Sequence, residues 1–131
     1  MTTLLLVDDQ PAVRQGLRMC LALEPDLTVI GEAGDGETAL RLAAEEHPDV
    51  VVLDLEMPGL DGVAVTKALN ITQASGAVVI LSIHNDPGSK RRALAAGAAA
   101  FVEKTTDVAS LLDAIRHVGA GEQPRVKRPS E

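Results

Sequence analysis

The sequence predicts an α/β domain, a parallel sheet with helices on both faces. Three observations predict it. Short unbroken apolar runs recur along the chain, segments with helical spacing alternate with them, and 131 residues is the length of one ordinary domain. Right-handed crossovers between successive strands place the helices on both sides of such a sheet.

The first run, Leu4-Leu5-Leu6-Val7, never alternates with polar residues and reads as a strand buried on both faces. Val13, Leu17, Cys20 and Leu21 then share one side of a helix. Thr28-Val29-Ile30 is a weaker second strand. Asp35 ahead of Gly36-Glu37 marks the start of a second helix, whose apolar side holds Ala39, Leu40 and Ala43. Val50-Val51-Val52-Leu53 is the third strand, and Val63, Val65, Ala68 and Leu69 belong to a third helix with poorly marked ends. Val78-Val79-Ile80-Leu81 is the fourth strand. Asp86-Pro87 sets a capping residue before a proline at the first helical position, and Gly97 stops that helix. Ala99-Ala100-Phe101-Val102 is the fifth strand, and Val108, Leu111, Leu112 and Ile115 face inward from the last helix. These β-α units occupy residues 1–119. Residues 120–131 lack periodicity, carry Pro, Arg and Lys, and read as a linker.

Composition narrows the function. Phe101 is the sole aromatic residue, so the core is aliphatic and stacking on nucleobases has almost no rings to work with. A net charge of −7 disfavours direct nucleic-acid binding by this chain. Cys20 is the only cysteine, so no intramolecular disulfide forms and a reducing compartment is expected. The first apolar run ends at Asp8 without a basic flank, unlike a signal peptide or a membrane span. A cytoplasmic location is the expectation.

In open parallel sheets, ligands bind beyond the carboxyl ends of the strands. The first strand ends in Asp8-Asp9, the third in Asp54, the fourth in Ser82 and the fifth in Lys104. Three crowded carboxylates repel one another unless a cation is present. Magnesium suits such oxygen donors, because it takes one or two carboxylates and leaves room for phosphate. No His/Cys cluster of the kind zinc prefers is present. Asp54 is the candidate nucleophile: a carboxylate can attack phosphorus to form an acyl phosphate when a metal neutralises charge. Lys104 can hold a phosphate oxygen as a mobile point charge, and Ser82 can donate a hydrogen bond to another.

Asp8-Asp9, Asp54 with Met57-Pro58-Gly59-Leu60-Asp61-Gly62, Ser82 and Lys104 together resemble the receiver domain of bacterial two-component response regulators. The resemblance covers about residues 3–119. Leu81-Ser82-Ile83-His84, Arg92-Ala93-Leu94-Ala95-Ala96-Gly97-Ala98 and Leu111-Leu112-Asp113-Ala114-Ile115 are similar to the NarL/LuxR-type subfamily. The resemblance implies a flavodoxin-like (βα)5 doubly wound sheet with strand order 2-1-3-4-5. It implies Asp54 as phosphoacceptor, Asp9 as a direct Mg2+ ligand, Asp8 acting mainly through water, and Glu56 giving its backbone carbonyl to the metal. Ser82 and Lys104 become the readouts of the phosphoryl group, and Phe101 falls at the position of a rotating aromatic switch. It further implies a sensor histidine kinase as partner and a homodimer through the fourth helix, fifth strand and fifth helix or another face. DNA binding would then belong to a helix-turn-helix output domain that this chain lacks.

Two departures stand out. Thr105 follows Lys104 where many receivers have proline, which leaves the geometry of that peptide open, and Glu103 is acidic where the subfamily is often apolar. Two other functions compete. An aspartate-nucleophile phosphohydrolase of the haloacid-dehalogenase type wants an Asp two residues after the nucleophile, and here that residue is Glu56. A pseudo-receiver would have lost part of the acid set, which is complete here. Simpler readings exist for single residues: Asp8-Asp9 as a helix cap, Phe101 and Cys20 as core filling, His47 and His117 as solvated helix residues.

Overall fold

The computed structural model describes residues 1–57, 62–83, 86–104 and 108–119. Its elements alternate without exception: β1 (Thr2–Val7), α1 (Pro11–Leu21), β2 (Leu27–Ala33), α2 (Gly36–Glu46), β3 (Val50–Asp54), α3 (Gly62–Thr72), β4 (Ala77–Ser82), α4 (Pro87–Ala95), β5 (Ala100–Glu103) and α5 (Val108–Gly119). The five strands form one sheet in the order β2-β1-β3-β4-β5, and every pairing is parallel. This is the flavodoxin-like fold and strand order expected.

Side chains of successive strand residues point to opposite faces, so an all-apolar strand feeds two cores. Leu5, Val7, Val51, Leu53, Val78 and Ile80 lie on one face with Ala39 and Ala43 of α2, Val65 and Leu69 of α3 and Ala93 of α4. Leu4, Leu6, Val50, Val52, Val79 and Leu81 lie on the other with Leu21 of α1 and Leu111, Ile115 and Val118 of α5. Both clusters are aliphatic; Phe101 packs at the margin of the first.

Local chemistry sets the boundaries. Asp35 and Asp86 cap α2 and α4 by accepting from the Thr38 and Ser89 amides, at 2.8 and 2.9 Å. After α4 the Gly97 and Ala98 amides bond back to Leu94 and Ala93, and Gly97 takes a φ of +113°. This is the left-handed termination that glycine favours. α1 begins at Gln10-Pro11, and Gln10 makes no side-chain cap. The Asp8-Asp9 pair is therefore not the helix cap. His47 is exposed and ends α2 in a left-handed conformation. Cys20 and Val13 are half-buried rather than core, and Val108 at the start of α5 is exposed, whereas Leu21 is fully buried.

β2 departs from simple pairing. Leu4 pairs with Val29 but Leu5 with Gly31, so Ile30 is an extra residue against β1. Among the described residues no helix is long and apolar enough to cross a membrane. Pro58-Gly59-Leu60-Asp61, His84, Thr105 with the peptide that follows Lys104, and the expected linker at 120–131 lie outside the described residues.

Candidate functional site

Because all strands run in parallel, their carboxyl ends share one edge, and the polar residues that follow them meet there. Asp8 directly follows β1, and its amide donates to the Ala33 carbonyl of β2 (3.0 Å). Its Oδ1 accepts from the Gln10 amide (2.9 Å), which fixes the carboxylate in a tight local turn. Asp54 closes β3, opposite Leu81 of β4. Its Oδ1 accepts from the Glu56 amide (3.0 Å). Gly62, which opens α3, sits so close to the strand end that a Cβ there would lie 2.7 Å from the Leu55 Cα.

Asp8 and Asp54 are each only 2% exposed, and Asp9 is half-buried. Each of the three offers an oxygen within 4.8 Å of the others. Lys104 reaches in from the end of β5, with Nζ 3.1 Å from Asp54 Oδ1 and 3.2 Å from Asp8 Oδ2. The Lys104 amide donates to the Ser82 carbonyl (2.8 Å), which ties the lysine to β4. Ser82 is fully buried. Its hydroxyl donates to Glu56 Oε2 (2.5 Å), while the Ile83 amide donates to Glu56 Oε1 (3.2 Å). Phe101 is half-buried on β5, paired with Ile80.

Electrostatics follow from this crowding. Burial pushes the Asp54 carboxyl above its ordinary pKa; the Glu56 amide pulls it down, the Asp8 charge adds to the rise, and Lys104 offsets only part of it. Burial also works against the Lys104 ammonium. The two carboxylates outweigh that, through hydrogen bonding and charge, and raise its pKa. Asp8 Oδ2 is buried and accepts no well-formed hydrogen bond; what faces it is the Lys104 charge.

A buried carboxylate oxygen that meets only the Lys104 ammonium has lone pairs left over, and a hard cation would use them. The donor set is oxygen only, which fits magnesium and not zinc. Asp8, Asp9 and Asp54 are the side chains that would hold it.

Asp8, Asp9, Asp54, Ser82 and Lys104, expected from the sequence to converge, all lie at one edge. Two sets of contacts there have no sign in the sequence. Arg14 and Arg18 of α1 both pair with Glu32 at the end of β2, and Arg14 Nη1 also donates to the Asp8 carbonyl (2.6 Å). The four-residue spacing of the arginines was a visible sign of a shared helix side, but their partner on β2 was not. The Glu56 side chain is the other, since the resemblance implies a role only for its backbone carbonyl.

The family model for the response regulator receiver domain matches residues 4–116. The chain belongs to this family. The receiver domain is 38% identical over 120 residues to the nitrate/nitrite response regulator protein NarL of Escherichia coli K12, covering 92% of this chain and 56% of that protein. It is 39% identical over 122 residues to the transcriptional regulatory protein LiaR of Bacillus subtilis, covering 93% and 58%. A LuxR-family two-component response regulator from Aurantimonas sp. SI85-9A1 superposes with a TM-score of 0.87 at 35% identity, covering 99% of this chain and 91% of that one. These similarities place the receiver domain in the NarL/LuxR subfamily. It spans little more than half the length of the curated relatives it matches. Receiver domains are signalling switches rather than enzymes of the usual kind, and they bind Mg2+ at an acidic pocket.

Proposed function

We propose that this receiver domain is a phosphoacceptor switch in which Asp54 takes a phosphoryl group from a sensor histidine kinase. The observation that carries the reading is the Lys104 ammonium lying against both Asp54 and Asp8 at the mouth of the strands. A cation shared by the nucleophile and a metal carboxylate is what an incoming phosphoryl dianion needs. In the transfer, an Asp54 carboxylate oxygen attacks phosphorus, the bond from phosphorus to the imidazole nitrogen of the donor breaks, and the imidazole leaves. Asp8, Asp9, Asp54 and the Glu56 carbonyl are the groups that would hold Mg2+, which would neutralise charge on the phosphoryl oxygens. Lys104 then exchanges a carboxylate partner for a phosphoryl oxygen, and the Ser82 hydroxyl donates to another.

Ser82 and Lys104 sit on β4 and β5, so their movement is passed to α4, β5 and α5, with Phe101 as the side chain that repacks. Leu94 of α4 and Val108 of α5 are 42% and 41% exposed, which supports a dimer face there. The output is transcriptional control, a reading supported by the name of the transcriptional regulatory protein LiaR, and it acts through a DNA-binding domain outside this chain. A location in the cytoplasm follows from that role.

The test is beryllium fluoride with Mg2+, followed by NMR and by sedimentation, for wild type and Asp54→Asn. The wild type responds only when Mg2+ is present, and Asp54→Asn does not. A silent wild type refutes the phosphoacceptor role. Lys104→Ala takes the phosphoryl analogue without the activation-linked dimerisation; unchanged dimerisation would remove Lys104 from the switch.

A further inference from the structure

We propose that the Glu56 carboxylate is an internal competitor of the phosphoryl group, occupying the donors at the end of β4 until phosphorylation displaces it. The inference rests on Asp54 being the phosphoacceptor.

Two adjacent donors, the Ser82 hydroxyl and the Ile83 amide, converge on the two oxygens of one carboxylate. One donor is a side chain and the other is main chain. Neighbouring donors of this sort form an anion site, and Glu56 is the anion that fills it. The site adjoins the nucleophile: Asp54 pairs with Leu81 across β3 and β4, and Ser82 is the next residue along. The Glu56 amide already bonds to Asp54 Oδ1, so main chain and side chain of one residue touch both the nucleophile and its readout.

A serine hydroxyl carries a single proton and can donate to one acceptor at a time. An aspartyl phosphate adds strong acceptor oxygens and about −1.5 to −2 of charge. The Ser82 proton cannot serve both anions, and two anions in a half-buried pocket repel. Glu56 therefore has to swing out when Asp54 is phosphorylated. The tie between the β3–α3 connection and the start of the β4–α4 connection then breaks at the moment the phosphoryl group arrives. Glu56 is thus a positioning residue that sets how readily Ser82 is released to the phosphoryl group.

The experiment is a beryllium fluoride titration at saturating Mg2+ by NMR, for wild type, Glu56→Gln and Glu56→Ala. Glu56→Ala binds the analogue about tenfold tighter than wild type, the scale of one hydrogen bond to a charged group. Glu56→Gln, which keeps the shape and loses the charge, falls between. In fluoride-free protein the Ile83 amide proton moves upfield in Glu56→Ala as its carboxylate partner is lost. Thermal melts establish that each variant is folded; if Glu56→Ala is not, Glu56→Gln alone carries the comparison. Equal or weaker binding by the folded variants, with a responsive wild type, overturns the competitor and leaves the phosphoacceptor standing. An Ile83 amide indifferent to residue 56 also overturns it. A wild type that never responds removes the phosphoacceptor reading itself.

Discussion

Ionising Asp54 places a second carboxylate charge in a buried pocket beside Asp8, with Lys104 facing both. Removing that charge should relieve the metal-free domain. Asp54→Asn is expected to be more stable than wild type by about 1 kcal/mol without Mg2+ at pH 7, read from urea midpoints. A destabilised variant would show that the Lys104 pair outweighs burial and repulsion. The pH dependence has a definite sign. The folded-state pKa of Asp54 lies above its ordinary value of 3.8, so the native state holds this proton more tightly than the unfolded chain. Wild-type stability should therefore gain from Asp54 as pH falls from the raised value toward 3.8, and Asp54→Asn should lack that gain. Lys104→Met leaves two buried carboxylates without their shared cation and should cost about 3 kcal/mol in metal-free buffer. Mg2+ should narrow the gap, because it takes over the same oxygens; a gap independent of Mg2+ would separate the lysine from the metal site. Five of the polar residues at this site were legible in the sequence, because a residue just after an apolar run must emerge at a strand end. The Glu56 side chain was not legible. Its contacts depend on which strand lies beside β3, and that is a property of the assembled sheet.

The helix ends show which signals are local. Asp35, Asp86-Pro87 and Gly97 act on amides within a few residues, so sequence alone locates them. The Thr38 and Ser89 amides hold the Asp35 and Asp86 carboxyls below their ordinary pKa. Both caps support the fold above the ordinary carboxylate value and lose that support as pH falls through their lowered values. Gly97 is the sharper test. Gly97→Ala would force an alanine to a φ of +113° and bring its Cβ within 2.6 Å of the Asn70 side chain. A loss of about 2–3 kcal/mol is expected by urea denaturation, and a neutral variant would mean that α4 can end another way. Long-range features were hidden. The Ile30 bulge has no marker in its own segment, because it is defined by pairing with β1. Val13 and Cys20, expected on the inward side of α1, are only half-buried. Arg14 and Arg18 of the same helix pair with Glu32 at the end of β2.

For the whole molecule, Mg2+ binding at the acidic edge would couple to folding. A ligand that binds only the native state stabilises by mass action, by about 1.4 kcal/mol at ten times its Kd. The Tm should rise with Mg2+ and stay flat with sodium at matched ionic strength. A rise of equal size with sodium would reduce the effect to general screening of a chain with net charge −7. The doubly wound architecture was legible because five buried apolar runs separated by amphipathic segments have few other solutions. The order of strands was not a matter of periodicity and came from the resemblance.

The sheet order gives the lysine a mechanical meaning. Three interstrand steps separate β1 from β5, roughly 14 Å at about 4.8 Å each. The Lys104 and Asp8 side chains close that span across the ends of β3 and β4, and the lysine tip lies against Asp54 of β3. The lysine is a tension rod between the middle of the sheet and its rim. Whatever drew its tip a little further inward would have to drag the rim strand or let go of the centre, so a chemical event at one atom would become a displacement at the outer surface, where another molecule could feel it.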